Sequence, residues 1–430
     1  MLISFKAYVG KIFKNSGLKN IAILSSGVIL AQIIALVCQP IITRLYTAED
    51  FGVLAIVTSI VTMCIPLVTL QYQMGIVTAK DDEEANIVCA LTFYLLCFMV
   101  LIMSIVLITI DNLNPRIFEQ VGNWIYVSLP LLLFSGFAKI ADSYNNRFEQ
   151  YKLMSSIALI RSITSNFLKI FLGLFKVGFL GLIISQFVAT IFGIRRQSNY
   201  IISKKSEILS STYQEMKHVA IKYRVQPLFS MPGLFVSVCS FSILPIFITS
   251  LYSIEDAGYF FLSMTILAIP LSLVSSNVGK VFFRKATLEK EKKGDFYNTF
   301  KSTVILLIFI AIVGFSILWL IAEPLFSLVF GPEWLKSGTF VKILIPLFAI
   351  RFVVTGLMHG FIISGRQKFK LFLQLFFIII ALTIYFISQQ QELPIEIFLE
   401  LTNKGYFTLY LILLIVLYFT SKNNNEERGI

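Results

Sequence analysis

Residues 304–321 read VILLIFIAIVGFSILWLI, eighteen consecutive positions without a charged side chain. As a helix this run is about 27 Å long, close to the ~30 Å hydrocarbon thickness of a bilayer. It lacks the strict alternation that a membrane β-strand would require, so the run predicts a transmembrane α-helix. Working outward in both directions, apolar windows of similar length recur along nearly the whole chain. They predict spans at 20–45, 52–77, 86–110, 122–145, 153–175, 177–194, 228–251, 258–282, 302–322, 338–361, 371–388 and 397–420. The composition agrees: 57% of the 430 residues are hydrophobic and 14% charged, with a mean hydropathy of +0.82, well beyond the roughly 45–50% apolar content of soluble domains.

The polar breaks between spans set an orientation. With the N-terminus inside, 25 Lys and Arg residues fall in inner segments and only Arg116, Lys176 and Lys336 in outer loops. Cytoplasmic loops retain positive charge, so both termini are expected in the cytoplasm. The first twenty residues interleave Lys6, Lys11, Lys14 and Lys19 with Phe5, Tyr8, Ile12 and Phe13. That pattern lacks the apolar core of a signal peptide and suits a basic amphipathic segment on the membrane surface. The expected organisation is therefore a basic segment over 1–19, a six-helix bundle over 20–194, a basic cytoplasmic linker over 195–227, a second six-helix bundle over 228–420 and a tail over 421–430. The formal net charge of +12 flanks apolar spans and forms no single patch, so nucleic acid is not an expected partner.

An internal repeat relates the halves. Residues 43–52 (TRLYTAEDFG) align without gaps to 249–258 (TSLYSIEDAG), matching at six of ten positions at an offset of 206. Each copy joins the first span of its half to the second. Thr47 and Ser253 are placed to cap the following helix, and Glu49/Asp50 and Glu255/Asp256 put negative charge at its positive dipole end. Both copies lead outward, so the repeat is parallel, a pattern found in transporters whose halves rock around a central site.

Metal and catalytic chemistry have little to work with. Cys38, Cys64, Cys89, Cys97 and Cys239 form no C-x-x-C pair, His218 and His359 stand alone, and no G-x-x-x-x-G-K-[ST] loop occurs. No cofactor, metal or catalytic residue is expected. The informative residues are charges left at membrane depth: Arg44, Lys139, Asp142, Arg161, Lys169, Lys280, Lys342, Arg351 and Lys404. An Arg or Lys at a helix centre costs about 2.5–3.5 kcal/mol on insertion scales and normally faces a cavity or a partner. Arg161, Ser165 and Lys169 recur every four residues and share one face, with Ser162 and Asn166 beside them. Arg351 follows Pro346 near the middle of its span. Lys139 and Asp142, three residues apart, admit either an ion pair or a coupling role. Arg44, Lys342 and Lys404 lie near the outer surface, where long side chains can snorkel.

The pattern running from Pro40 through Arg44-Leu45-Tyr46 to Glu49-Asp50-Phe51-Gly52 resembles the Wzx-type polysaccharide repeat-unit flippases of the multidrug/oligosaccharidyl-lipid/polysaccharide exporter superfamily. The resemblance continues in Arg147-Phe148-Glu149-Gln150-Tyr151-Lys152 and in Phe330-Gly331-Pro332-Glu333-Trp334. It implies an all-α membrane protein of two six-helix bundles around a central cavity, in a bacterial inner membrane. It also implies a substrate, an undecaprenyl-pyrophosphate-linked oligosaccharide carried from the inner to the outer leaflet, with membrane lipid and other polysaccharide assembly proteins as partners. Arg offers a planar fork of donors suited to pyrophosphate. The candidate substrate contacts are Arg161, Lys169 and Arg351, assisted by Lys280 and Arg44. A membrane glycosyltransferase and an ion-coupled small-molecule exporter remain as alternatives. The first lacks paired carboxylates in a sizeable outer loop, and the second would draw on Asp142.

Overall fold

A computed structural model describes residues 16–113 and 121–422, excluding the side chains of 16–24 and of Gln367 and Lys368. Most of the basic segment expected over 1–19, the tail beyond Lys422 and Arg116 therefore lie outside the described residues. Among those described there is no strand, and twelve helices are long and apolar enough to cross a membrane. They are α1 (Ser16–Thr43), α2 (Ala48–Thr69), α3 (Asp82–Leu113), α4 (Ser128–Arg147), α5 (Tyr151–Leu174), α6 (Phe179–Gln197), α7 (Met231–Ser242, continued by Leu244–Leu251), α8 (Ile254–Pro270, continued through Ser276–Lys293), α9 (Tyr297–Phe330), α10 (Leu335–Leu357), α11 (Gln367–Gln391) and α12 (Ile395–Lys422). Every expected span is present. Their outward faces stay apolar: Ile305, Phe309, Leu320 and Leu328 on α9 are each more than half exposed, a surface that water would not tolerate but lipid does.

The ends differ from expectation where backbone chemistry intervenes. The second span closes at Thr69, eight residues early, because Leu70 and Gln71 turn left-handed at φ 46° and 59°; a separate short helix follows at Gln73–Thr78. Helices α3, α8 and α9 run past the apolar windows, since a helix ends at its cap and not where hydrophobicity falls. Prolines leave distinct marks. A wide π-type turn follows Pro270 at Leu271–Ser275, and another spans Gln226–Ser230 around Pro227. At Pro346 the missing donor breaks the α10 ladder, and the neighbouring Leu347 N–H donates instead to Asn403 Oδ1 of α12 at 2.9 Å.

The chain divides into two compact units between Phe235 and Val236. In the first, α1 packs on α5, α5 on α6, α3 on α4, α2 on α4, and α4 on α6. In the second, the continuation of α7 packs on α11, α11 on α12, α9 on α10, α8 on α10, and α10 on α12. The second set is the first with each helix number raised by six, so the repeat seen in ten residues extends through the packing of each unit.

Small residues permit the closest approaches, as expected where helices meet without a hydrophobic driving force. A Cβ added at Gly27 of α1 would lie 2.0 Å from Ser155 Oγ of α5. On the second unit's α8–α10 seam, Ser263 Oγ donates to Ser337 O at 2.9 Å and Ser337 Oγ to Tyr259 O at 3.0 Å. Farther along, Ser275 Oγ donates to Phe352 O beside Gly356.

The segment 195–227 is structured and belongs to the first unit. Its helix Tyr213–Lys222 opens on a reciprocal cap between Thr212 and Glu215. Lys222 pairs with Glu84 at the start of α3, Tyr72 Oη donates to Ala220 O at 3.1 Å, and Glu207 accepts from Asn86 at 3.0 Å. The Glu84 carboxylate holds the Lys222 ammonium above its ordinary value. These contacts explain why the compact units separate beyond 227, inside α7, and not at the start of the basic stretch.

Candidate functional site

The repeated turn caps the following helix in both copies. Thr47 Oγ1 accepts from Asp50 N at 3.2 Å while Thr47 N donates to Asp50 Oδ2 at 2.9 Å, a closed capping box. Ser253 Oγ accepts from Asp256 N at 3.0 Å. Tyr46 and Tyr252 then reach the corresponding corners of their units. Tyr46 Oη donates to Lys169 O on α5 at 2.7 Å, and Tyr252 packs edge-on against Phe398 of α12. Gly181 makes room for Tyr46, since a Cβ there would stand 2.4 Å from Oη. Burial, aided by Asp50, pushes the Tyr46 hydroxyl up to about 12, so it stays a donor at every physiological pH.

Two groups of intramembrane charges stand out, one in each unit. In the first unit Arg161 of α5 donates through Nη2 to Gln197 Oε1 at 2.6 Å. Gln197, the last residue of α6 and fully buried, passes its amide hydrogens to Ala138 O of α4 at 3.0 Å and to Asp142 Oδ1. Its own carbonyl accepts from Asn145 Nδ2 at 2.9 Å. One amide thus bridges a guanidinium and a carboxylate on different helices. Gly193, one turn earlier on α6, leaves the space that Arg161 fills: a Cβ there would fall 2.1 Å from Nε. That Nε is buried and has no hydrogen-bond partner among the described residues.

The face of α5 below Arg161 splits. Ser162 Oγ donates to Ala31 O of α1 at 2.6 Å, and Asn166 folds back on Ser162, so this part of the polar stripe is sealed by protein. Lys169 is different. Its side chain is half-buried, and its ammonium makes no ion pair or hydrogen bond among the described residues. Lys139 and Asp142 do not close into an ion pair: Lys139 is exposed, and the carboxylate turns instead to Gln197. Spacing along one helix put the two within reach, but the amide from α6 lies closer.

In the second unit Arg351 of α10 sits over aromatic rings, its guanidinium carbon 3.7 Å from the centroid of Phe241 and 5.3 Å from that of Phe348. Tyr406 and Tyr410 of α12 lie within range of its charge, and Phe377 of α11 braces both rings. A desolvated cation on aromatic faces gains about 2 kcal/mol, which offsets much of the cost of placing Arg at this depth. Tyr410 lies within hydrogen-bonding reach of the guanidinium, and no carboxylate pairs with it among the described residues. Lys280 of α8 is exposed and donates to Asn277 Oδ1 at 3.2 Å, and Arg44 is exposed in the α1–α2 turn. Lys342, expected to snorkel, instead pairs with Glu323 of α9 at 2.8 Å; the helix runs through Glu323 to Phe330, which brings this carboxylate beside α10. Lys404 pairs with Glu400 one turn away at 3.1 Å.

Sequence reasoning did not find Gln197, Gly193, Phe241, Tyr406 or Tyr410. Only the i, i+4 spacing of the two tyrosines offered a signal, and it does not name Arg351 as their partner. No cluster of three or more metal-ligating side chains occurs among the described residues.

A search of curated proteins by sequence finds no significant match. Among solved structures the fold is similar to that titled "Lipid II flippase MurJ, inward closed conformation", with a TM-score of 0.71 at 14% identity over 92% of this chain and 87% of that one. It is also similar to an inward-facing multidrug resistance MATE family transporter of the MOP superfamily, with a TM-score of 0.68 at 12% identity over 95% of this chain and 100% of that one. An outward-facing structure with the same family description gives 0.55 at 12% identity, covering 96% of each chain. At these identities the likeness establishes the fold. A family model described as "Polysaccharide biosynthesis protein" matches residues 41–339, more than half of the chain. A twelve-span helical protein with this match belongs to the polysaccharide biosynthesis protein family.

Proposed function

We propose that this protein is a flippase that carries undecaprenyl-pyrophosphate-linked oligosaccharide repeat units from the cytoplasmic to the periplasmic leaflet of a bacterial inner membrane. Both termini would be cytoplasmic and the product would feed O-antigen, capsule or exopolysaccharide synthesis. The observation that carries this reading is the coincidence of family and fold: a polysaccharide biosynthesis family match over 41–339 on a fold shared with a lipid II flippase. The mechanism is alternating access of two similar units, which requires no catalytic residue of this chain.

The intramembrane cations supply the chemistry. A pyrophosphate entering the membrane loses its hydration, and a cation that lacks a carboxylate partner offsets that loss. Lys169, whose ammonium has no partner among the described residues, and Arg351, whose guanidinium lies among aromatic rings, suit that role directly. Arg161 would join by exchanging Gln197 for a phosphate oxygen, a trade of a neutral acceptor for a charged one. Lys280 and Arg44 would assist at the two ends of the path.

The test is export. In a strain lacking the gene, repeat units attached to undecaprenyl pyrophosphate should accumulate on the cytoplasmic leaflet, and the native gene should return them to the periplasmic one. Lys169→Gln and Arg351→Gln, each checked for normal membrane abundance, should export at well under a tenth of the native rate. Full export by both variants would remove the proposed contacts, and periplasmic accumulation in the deletion strain would remove the flippase reading.

A further inference from the structure

The basic end of the second unit carries a groove that the transport reading does not use. It is a shallow, open groove of about 420 Å³ between the last turns of α8 and the first turns of α9. Lys285, Lys292 and Lys293 line it together with the hydroxyls of Thr299 and Ser302. Its one carboxylate, Glu289, is already occupied. It accepts from Asn298 Nδ2 at 2.9 Å and from Thr299 N at 2.8 Å, and Lys293 pairs with it loosely at 3.9 Å. Lys285 and Lys292 are exposed and make no ion pair or hydrogen bond among the described residues. The groove thus sets three lysines against one carboxylate and keeps an excess of positive charge.

Depth tells what could fill it. Ser302 is the first residue of the span expected over 302–322 and lies two residues before the uninterrupted apolar run of α9, so the groove opens at the edge of that span. Directly along α9 from the groove, Ile305, Leu306 and Phe309 are 59%, 48% and 66% exposed, and Leu288 contributes an apolar wall to the groove itself. A soluble anion would meet the lysines alone, while membrane lipid covers the apolar strip in any case. A phospholipid would satisfy both, with its phosphate among the lysines and its chains along α9.

We propose that this groove binds the headgroup of an anionic phospholipid of the phosphatidylglycerol class. Lys285, Lys292 and Lys293 take the phosphate, Ser302 offers a hydroxyl, and the exposed face of α9 takes the acyl chains. The site is separate from the cations proposed for substrate, and its test does not depend on export. Anionic headgroups are attracted to juxtamembrane lysines and the attraction weakens with salt.

The experiment reconstitutes the full chain in phosphatidylcholine vesicles and measures the association of spin-labelled phosphatidylglycerol against spin-labelled phosphatidylcholine. The native protein should prefer phosphatidylglycerol by a factor on the order of ten, decreasing with added salt. The triple variant Lys285→Gln/Lys292→Gln/Lys293→Gln should lose most of that preference. The triple Lys→Arg variant should keep it, as should Lys204→Gln/Lys205→Gln in the first unit. An unchanged preference in the triple Gln variant would overturn the proposal, as would equal loss in the first-unit control. Displacement of the labelled lipid by millimolar glycerol 3-phosphate would also overturn it, by showing a site for soluble phosphate.

Discussion

Replacing Gln197 by Leu tests whether the α4–α5–α6 corner depends on one amide. The side chain makes three hydrogen bonds, two of them to the charged groups of Arg161 and Asp142 and one to Ala138 O. Bonds to charged groups contribute about 1.5–3 kcal/mol each and the neutral one about 1 kcal/mol, so losing all three has an upper bound of about 4–7 kcal/mol. Part is recovered, because Arg161 and Asp142 flank the same amide and can close toward a direct ion pair. Polar bonds between membrane helices also contribute less than this on average, about 0.6 kcal/mol in measured cycles. The net expected destabilisation is therefore about 2–4 kcal/mol, read as the shift in reversible unfolding of the purified protein in mixed micelles. A double-mutant cycle with Asp142→Asn sharpens the test, since residues sharing one network couple by roughly 0.5–3 kcal/mol. Gln197→Glu alone sets a carboxylate against Asp142 and Ala138 O and should destabilise. Combined with Asp142→Asn it regains a donor facing an acceptor and should recover much of the loss. If Gln197→Leu unfolds within about 0.5 kcal/mol of the native protein and adds independently to Asp142→Asn, the bridge contributes nothing and the reasoning fails.

Two further outcomes follow from local geometry. Asn403→Ala leaves the buried Leu347 N–H without an acceptor at the Pro346 break and should cost about 1–3 kcal/mol in the same unfolding assay; a cost near zero would mean that water or a shifted α10 backbone satisfies the group. Thr47→Ala and Ser253→Ala should each cost about 1 kcal/mol, and Thr47 the more because its box is reciprocal; equal or negligible losses would show that the repeated turn is retained for another reason.

The sequence was most legible where the physics is local or additive. Hydrocarbon transfer sums residue by residue, so runs such as 304–321 marked all twelve spans without reference to any partner. The caps at Thr47 and Ser253 form across three residues of one turn, so spacing alone indicated them. The ten-residue repeat carried farther than its length, because packing in each unit follows the same helix order. Only the tertiary structure decided what each buried charge touches. Gln197 lies 36 residues from Arg161 and 55 from Asp142, and Tyr46 lies 123 from Lys169. Periodicity names the face on which a side chain stands but not the helix that will meet it. The partner is chosen by close fit, through spaces such as those left by Gly193 and Gly181 and through backbone breaks such as that at Pro346, where helix ends and crossings come from the whole unit packing at once.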